Sequence, residues 1–388
     1  MNGETDWKRT EHTQTDWTRT DWKKELSNNV TTVDQLKAHA VFSAEDEQEL
    51  RRVVEVHPIN IPRYYLGLIN RDDPADPIRR MCFPSTEELV VVGSMGETTT
   101  DPYGDDKHDK GNGVLHKYDY TALVVATEYC AMYCRHCFRR RIVGRRSDQV
   151  LKDFTGALEY IAGHPEITNV ILSGGDPLML PTPVLRRMLM SLAEIEHLDF
   201  VRIGSRVPVT FPVRIFENDL TDLLQEFNNH KPLYVATHFN HAREITPTSA
   251  EAIRRIRQCG ATINNQAVLL RGVNDTAHDL VDLMNGLLGI GVNPYYLYQC
   301  MPVSRVRHHF QIPLKQGIAI VDRARADLNG YGTRFKYIIG HDVGKLEICG
   351  MIDGKIVLKQ IHARSGHDEQ ASRLIMQELD DEAGWVTL

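Results

Sequence analysis

With 388 residues, 42% of them hydrophobic and 25% charged, the chain has the composition of a water-soluble protein with room for one large core. A net charge of −7 gives no general attraction to phosphate backbones or anionic lipid, so neither nucleic acid nor a membrane surface is an expected partner. The N-terminus lacks a signal-like apolar run, no stretch reaches the roughly 20 apolar residues of a membrane span, and seven cysteines make no disulfide framework, so a reducing cytoplasm is expected.

Residues 1–30 are polar, and the tripeptide Thr-Asp-Trp occurs three times, ending at Trp7, Trp17 and Trp22. The spacing is irregular, so the expectation is a loosely ordered arm whose tryptophans dock on a neighbour, not a repeat. Ser43 precedes a helical pattern with Leu50, Val53 and Val54 on its apolar positions. Residues 93–114 are rich in glycine, aspartate and lysine and read as a long surface loop. His108 between Asp106 and Asp109 suggests a metal site, but mixed charges without an apolar anchor favour a solvated loop.

Beyond residue 114 the pattern becomes regular. Six β-rich runs (121–127, 169–175, 200–205, 232–239, 262–270 and 294–299) alternate with amphipathic stretches such as LRRMLMSLAEI and SAEAIRRIRQ. Strands each followed by a helix imply parallel βα units. Six units are too few for an eight-fold barrel, so the predicted fold is α/β, an open, partial (βα)6 TIM-like barrel at 115–334. An N-terminal helical extension and linker (1–114) and a short C-terminal segment (335–388) flank it. Chemistry in such barrels gathers at the C-terminal strand ends. The distinctive polar motifs fall there: Cys130 after the first run, Ser173-Gly174-Gly175-Asp176 after the second, Ser205-Arg206 after the third and His238 to His241 after the fourth.

Cys130, Cys134 and Cys137 put three thiols on one short loop. Three cysteines can bind three irons of a cubane and leave the fourth open, whereas structural clusters usually take four. Structural zinc wants four ligands in paired knuckles, and no second knuckle exists. The reading is therefore a radical S-adenosylmethionine (radical SAM) enzyme with a 4Fe-4S cluster. Gly174 and Gly175 would let backbone amides approach the amino end of S-adenosylmethionine.

Longer strings make the reading specific: PRYYLGLINRDDPADPIRR (62–80), CAMYCRHCFRRR (130–141), LSGGDPLML (172–180), VRIGSRVPV (201–209), THFNH (237–241), NNQAVLLRGVND (264–275) and PYYLYQC (294–300). In these the sequence resembles the lysine 2,3-aminomutase family. The resemblance implies a partial barrel, a 5′-deoxyadenosyl radical and homo-oligomeric assembly. It implies His136, Gln266 and His238 near S-adenosylmethionine, and Arg139 on a substrate carboxylate. A small-molecule substrate and an electron donor such as flavodoxin or ferredoxin complete the expected partners.

The departures from the family are informative. Family aminomutases carry pyridoxal phosphate on a lysine within a glycine run; here the region reads Gly340-His341-Asp342-Val-Gly344-Lys345. A phosphate-binding arginine is replaced by Thr121 and another by Lys117, so pyridoxal phosphate on Lys345 is expected to be weak or absent. His341 and Asp342 then become candidate proton-transfer or substrate groups beside Arg139, the alternative being that they only shape a turn. The two aspartates that pair with lysine's distal ammonium are replaced by Met301 and Gly340, so lysine is not the expected substrate. The expected function is an aminomutase-type radical rearrangement of another amino-acid-like molecule. A pyridoxal-independent dehydratase, desaturase or epimerase is the alternative, and a non-catalytic cluster protein is the reading from another class.

Overall fold

The structure, a computed structural model, describes residues 16–90, 99–364 and 372–388. Trp7 lies outside the described residues. All six β-rich runs are strands: β2 (Thr121–Thr127), β3 (Asn169–Gly174), β4 (Phe200–Gly204), β5 (Leu233–Thr237), β6 (Thr262–Leu269) and β7 (Asn293–Gln299). They pair in parallel, in chain order, each linked to the next through helix.

The sheet extends past the six units. β1 (Val114–Tyr118) pairs antiparallel with β2, and β8 (Lys336–His341) adds a seventh parallel strand beside β7. β9 (Gly344–Ile352), β10 (Lys355–Ala363) and β11 (Leu374–Glu378) continue it antiparallel, giving eleven strands in one sheet. Most of the C-terminal segment thus belongs to this sheet. Its curl brings the last strands back towards the first: the Tyr118 and His362 rings lie 5.9 Å apart, and Lys117 Nζ donates to His341 O at 2.9 Å.

Strand alternation sorts the side chains. Ala122, Val124, Val170, Leu172, Val201, Ile203 and Val235 face outward and are buried under the helices, in the main core. Helix Pro247–Gln258 shows why such sequences fold as they do. Thr246 caps it reciprocally with Ser249, Pro247 opens its first turn, and Ala252, Ile253 and Ile256 face the sheet. Each apolar side chain so buried contributes about 1.5–3 kcal/mol.

The N-terminal residues pack on this core. Ser43 caps helix Ala44–Val56, which buries Leu50 and Val53. Trp22 is buried beneath the Arg214 guanidinium, 4.4 Å from its ring centroid, and donates to Glu217. Trp17 meets Tyr64 edge-on. Residues 99–113 are no free loop: Thr99 bridges to Val303, and Tyr103 and Asp105 turn inward over the strand ends.

Candidate active site

The cysteine loop leaves β2 and is held by groups that precede it in the chain. Asn60 donates to Cys130 O and Asn29 to Ala131 O, at 2.9 and 3.0 Å. Glu88, fully buried, accepts from both Arg135 and Arg140 at 2.6 Å, while Arg135 also binds the carbonyls of His57 and Pro58. A carboxylate buried with two guanidiniums is tolerable only with such full pairing. Arg135 and Arg140 are therefore structural.

Cys130, Cys134 and Cys137 are free thiols, each half-buried. Burial pushes the Cys137 thiol up to about 12 and also raises Cys130, so cationic partners are needed to hold thiolates there. Arg206 supplies one. Its Nη1 donates to Cys134 Sγ at 2.7 Å while Nη2 pairs with the buried Glu244 at 2.7 Å. Among the described residues, no three His, Cys, Asp or Glu side chains converge to share one metal ion. A cubane sets no such requirement, because each thiolate binds its own iron.

Next to Cys134 stands a wall of neutral polar groups. His136 and His238 meet edge-on at 5.7 Å, and Asn240 bridges them through Oδ1 to His238 Nε2 and Nδ2 to His136 Nε2. Burial and the nearby Arg206 hold His238 down to about 3 and His136 well below its ordinary value, so both rings are neutral. His136 Nδ1 is buried without a partner among the described residues. Gln266 lies half-buried on β6 nearby.

The Ser-Gly-Gly-Asp turn behaves differently from expectation. Gly175 N donates to Thr127 O and Asp176 N to Tyr129 O, so these amides staple the turn to the root of the cysteine loop and are not offered to a ligand. A Cβ on Gly175 would meet Tyr129 O at 2.3 Å, and Gly174 adopts φ 109°, which together explain the glycines. Asp176, buried and pushed up to about 6, accepts from Ser205 Oγ and from the amides of Leu178, Arg206 and Val207. Its role is to lock two strand ends together.

Arg139 enters the barrel mouth. Its Nη1 reaches Ser173 Oγ at 3.1 Å and its Nε meets the buried Asp105 at 3.3 Å. Lys345 projects from β9 between Gly340 of β8 and His362 of β10. Its amine sits over the Tyr296 and Tyr118 rings, 5.1 and 5.8 Å from their centroids. Desolvation, with Arg202 and Lys117 as nearby cations, pushes this amine down to about 7. Lys345 is thus a lumen residue, not a surface turn lysine.

The structure does not bring His341 and Asp342 into this group. The His341 ring stacks on Trp385 and its Nδ1 accepts from Val343 N, whereas Asp342 pairs with Lys107 at 2.8 Å. They shape the β8–β9 turn.

Comparison with known proteins bears on this geometry. Residues 124–284 match the Radical SAM superfamily. L-lysine 2,3-aminomutase of Clostridium subterminale is 38% identical over 80% of this chain and 73% of its own length. A provisional L-lysine 2,3-aminomutase of Aquifex aeolicus is 39% identical over 93% and 95% respectively. The chain belongs to the lysine 2,3-aminomutase family. Glutamate 2,3-aminomutase of Clostridioides difficile, 34% identical over 80% of this chain and 71% of its own, belongs to the same group of relatives. As a radical SAM aminomutase this protein is an isomerase that uses a 4Fe-4S cluster and S-adenosylmethionine, takes a small-molecule substrate and requires an electron donor. No helix among the described residues is long and apolar enough to cross a membrane.

Two site features escaped sequence reasoning. Asn240, Glu244 and Tyr65 form the hydrogen-bonded support of Arg206 and the histidine pair. Asn240 and Tyr65 stood in the family strings THFNH and PRYYLG, so their signal was present without a role, while Glu244 lies three residues past THFNH. Of the lumen set, Arg202, Asn169 and Tyr296 could have been found from strand parity, since each neighbours an outward-facing apolar residue, whereas Tyr118 sits between Lys117 and Asp119.

Proposed function

We propose that this aminomutase acts on an amino acid without a distal ammonium and carries pyridoxal phosphate on Lys345. Cys130, Cys134 and Cys137 hold the cluster; His136, His238, Arg206 and Gln266 line the S-adenosylmethionine side. The observation that carries the reading is the Lys345 amine, desolvated against the Tyr296 and Tyr118 rings. A lysine with its charge suppressed is the nucleophile that a carbonyl cofactor needs. Once bound, the cluster with S-adenosylmethionine supplies a carbon radical, and pyridoxal phosphate supplies the carbonyl that carries the amino group between neighbouring carbons. The chain's own residues orient the substrate and exclude water. Arg139 offers its fork to a substrate carboxylate, and Tyr103 with Phe138, rings 5.8 Å apart, forms an apolar lid. Cytoplasmic location, flavodoxin or ferredoxin as donor, and homo-oligomeric assembly belong to the same reading.

The substrate side rests on Met301 and Gly340. A Cβ at Gly340 would meet Tyr103 Oη at 2.7 Å and Met301 Cε at 2.8 Å, so no acid fits where the family keeps one. The acids that could compensate are engaged: Glu347 with Lys336, Asp342 with Lys107, Asp105 with Arg139. A distal ammonium would lie against methionine with its counter-charge missing, at a cost of several kcal/mol. Purified, reconstituted enzyme is therefore expected to turn over a neutral-side-chain amino acid at least roughly 100-fold more efficiently than lysine. Efficient formation of β-lysine, followed by chromatography, would reverse this assignment.

Arg139→Lys keeps the charge and loses the two-pronged geometry. The expected result is a KM for substrate raised roughly 10- to 100-fold, with affinity for S-adenosylmethionine unchanged. Unaltered KM would remove Arg139 from the substrate site.

A further inference from the structure

Thr121, Asn169 and Arg202 meet at the N-terminal end of the barrel interior, where β2, β3 and β4 begin. Arg202 Nη2 donates to Asn169 Oδ1 and, at 3.4 Å, to Thr121 Oγ1, while Thr121 Oγ1 reaches Asn169 Oδ1 at 3.2 Å. Arg202 Nε is buried with no hydrogen-bond partner, and the guanidinium has no ion pair, among the described residues. Burial lowers its pKa, and the titratable groups nearest to it are the neutral phenols of Tyr295, Tyr298 and Tyr296. A largely buried guanidinium without a counter-ion is costly, and while both N–H bonds of Nη2 are spent on Asn169 and Thr121, the Nε–H stays unused and is the donor an anion would meet. The group lies close enough to Lys345 to act on its amine.

We infer that Arg202, steadied by Thr121 and Asn169, anchors the phosphate of the pyridoxal phosphate carried by Lys345 and so takes over from the arginine that the family has at position 121. The inference rests on the Lys345 reading above. Thr121 is then no simple loss: its hydroxyl accepts from the guanidinium that replaces the missing one.

The test compares pyridoxal 5′-phosphate with pyridoxal, which lacks the phosphate, by visible absorbance and by borohydride trapping with mass spectrometry of the Lys345 peptide. Wild-type holoenzyme is expected to bind the phosphate form roughly 10- to 100-fold more tightly than pyridoxal. Arg202→Gln should shrink that preference to within roughly threefold while iron content stays as in wild type. Thr121→Arg added to Arg202→Gln should recover most of it. A preference that survives Arg202→Gln overturns the anchor but leaves the Lys345 reading intact. No trapped adduct on Lys345 in wild type overturns both. Should Arg202→Gln fail to fold, the wild type alone decides: equal affinity for the two compounds excludes a phosphate anchor.

Discussion

Cys134→Ala protein, reconstituted anaerobically with iron and sulfide and reduced with dithionite, should form no detectable 5′-deoxyadenosine. Cys130→Ala and Cys137→Ala should behave alike, because a cubane with one open iron does not survive on two protein thiolates. Cys134 is the most telling of the three, since Arg206 donates directly to its sulfur. Removing that sulfur deletes a ligand and leaves a buried guanidinium facing nothing. The loss should exceed roughly 10³-fold in turnover. The control is Cys349→Ala: this thiol is exposed on β9, so iron content and cleavage should match wild type. Residual cleavage in Cys134→Ala above a no-enzyme blank would break the ligand assignment.

Lys345→Ala should abolish retention of pyridoxal phosphate and lower aminomutase turnover by at least roughly 10³-fold, while iron content stays constant. The pH dependence adds a signature that a structural lysine lacks. The ordinary lysine value is 10.5, and desolvation with Arg202 and Lys117 nearby brings Lys345 down to about 7. A lowered value means that the amine is already neutral above pH 7. The rate of covalent capture of pyridoxal phosphate should thus rise through a midpoint near pH 7 and level off above pH 8. An exposed lysine would still be rising beyond pH 9. Stopped-flow absorbance across this range decides it, and a midpoint near 10 would mean that the amine stays solvated.

What the sequence made legible, and what it hid, follows from where the information resides. The six parallel strands were readable because both faces of each are covered, which leaves compact β-rich runs such as TALVVAT and NVILSGG between 3.6-periodic helices. The cysteine triad could be singled out because its three thiols lie on one loop. Lys345 was named only through the family resemblance and expected at a surface turn, because GHDVGKLEICG reads as a turn entering a strand; the pairing of β9 with β8 and β10 turns that side chain into the lumen. Tyr103 and Asp105 were hidden by composition, since their glycine- and aspartate-rich segment looks solvated until the Thr99–Val303 bridge and the Arg139 contact tie it down. The Gly174-Gly175 turn was singled out for amides open to a ligand, and the structure spends the amides of Gly175 and Asp176 elsewhere. Its amides serve the protein backbone, a use that depends on the neighbouring strand end and has no mark in the motif itself.

The grip of residues 29–88 on the cysteine loop separates two events that small metalloproteins merge. In a zinc finger the metal shapes the ligand loop, and stripping it unfolds the domain. Here Asn29, Asn60, His57 and the Glu88 triad fix the loop's backbone through its own carbonyls and arginines. Metal insertion can therefore follow chain maturation as a late step on a finished template, and oxidative loss of iron is an injury from which the same molecule can be refilled.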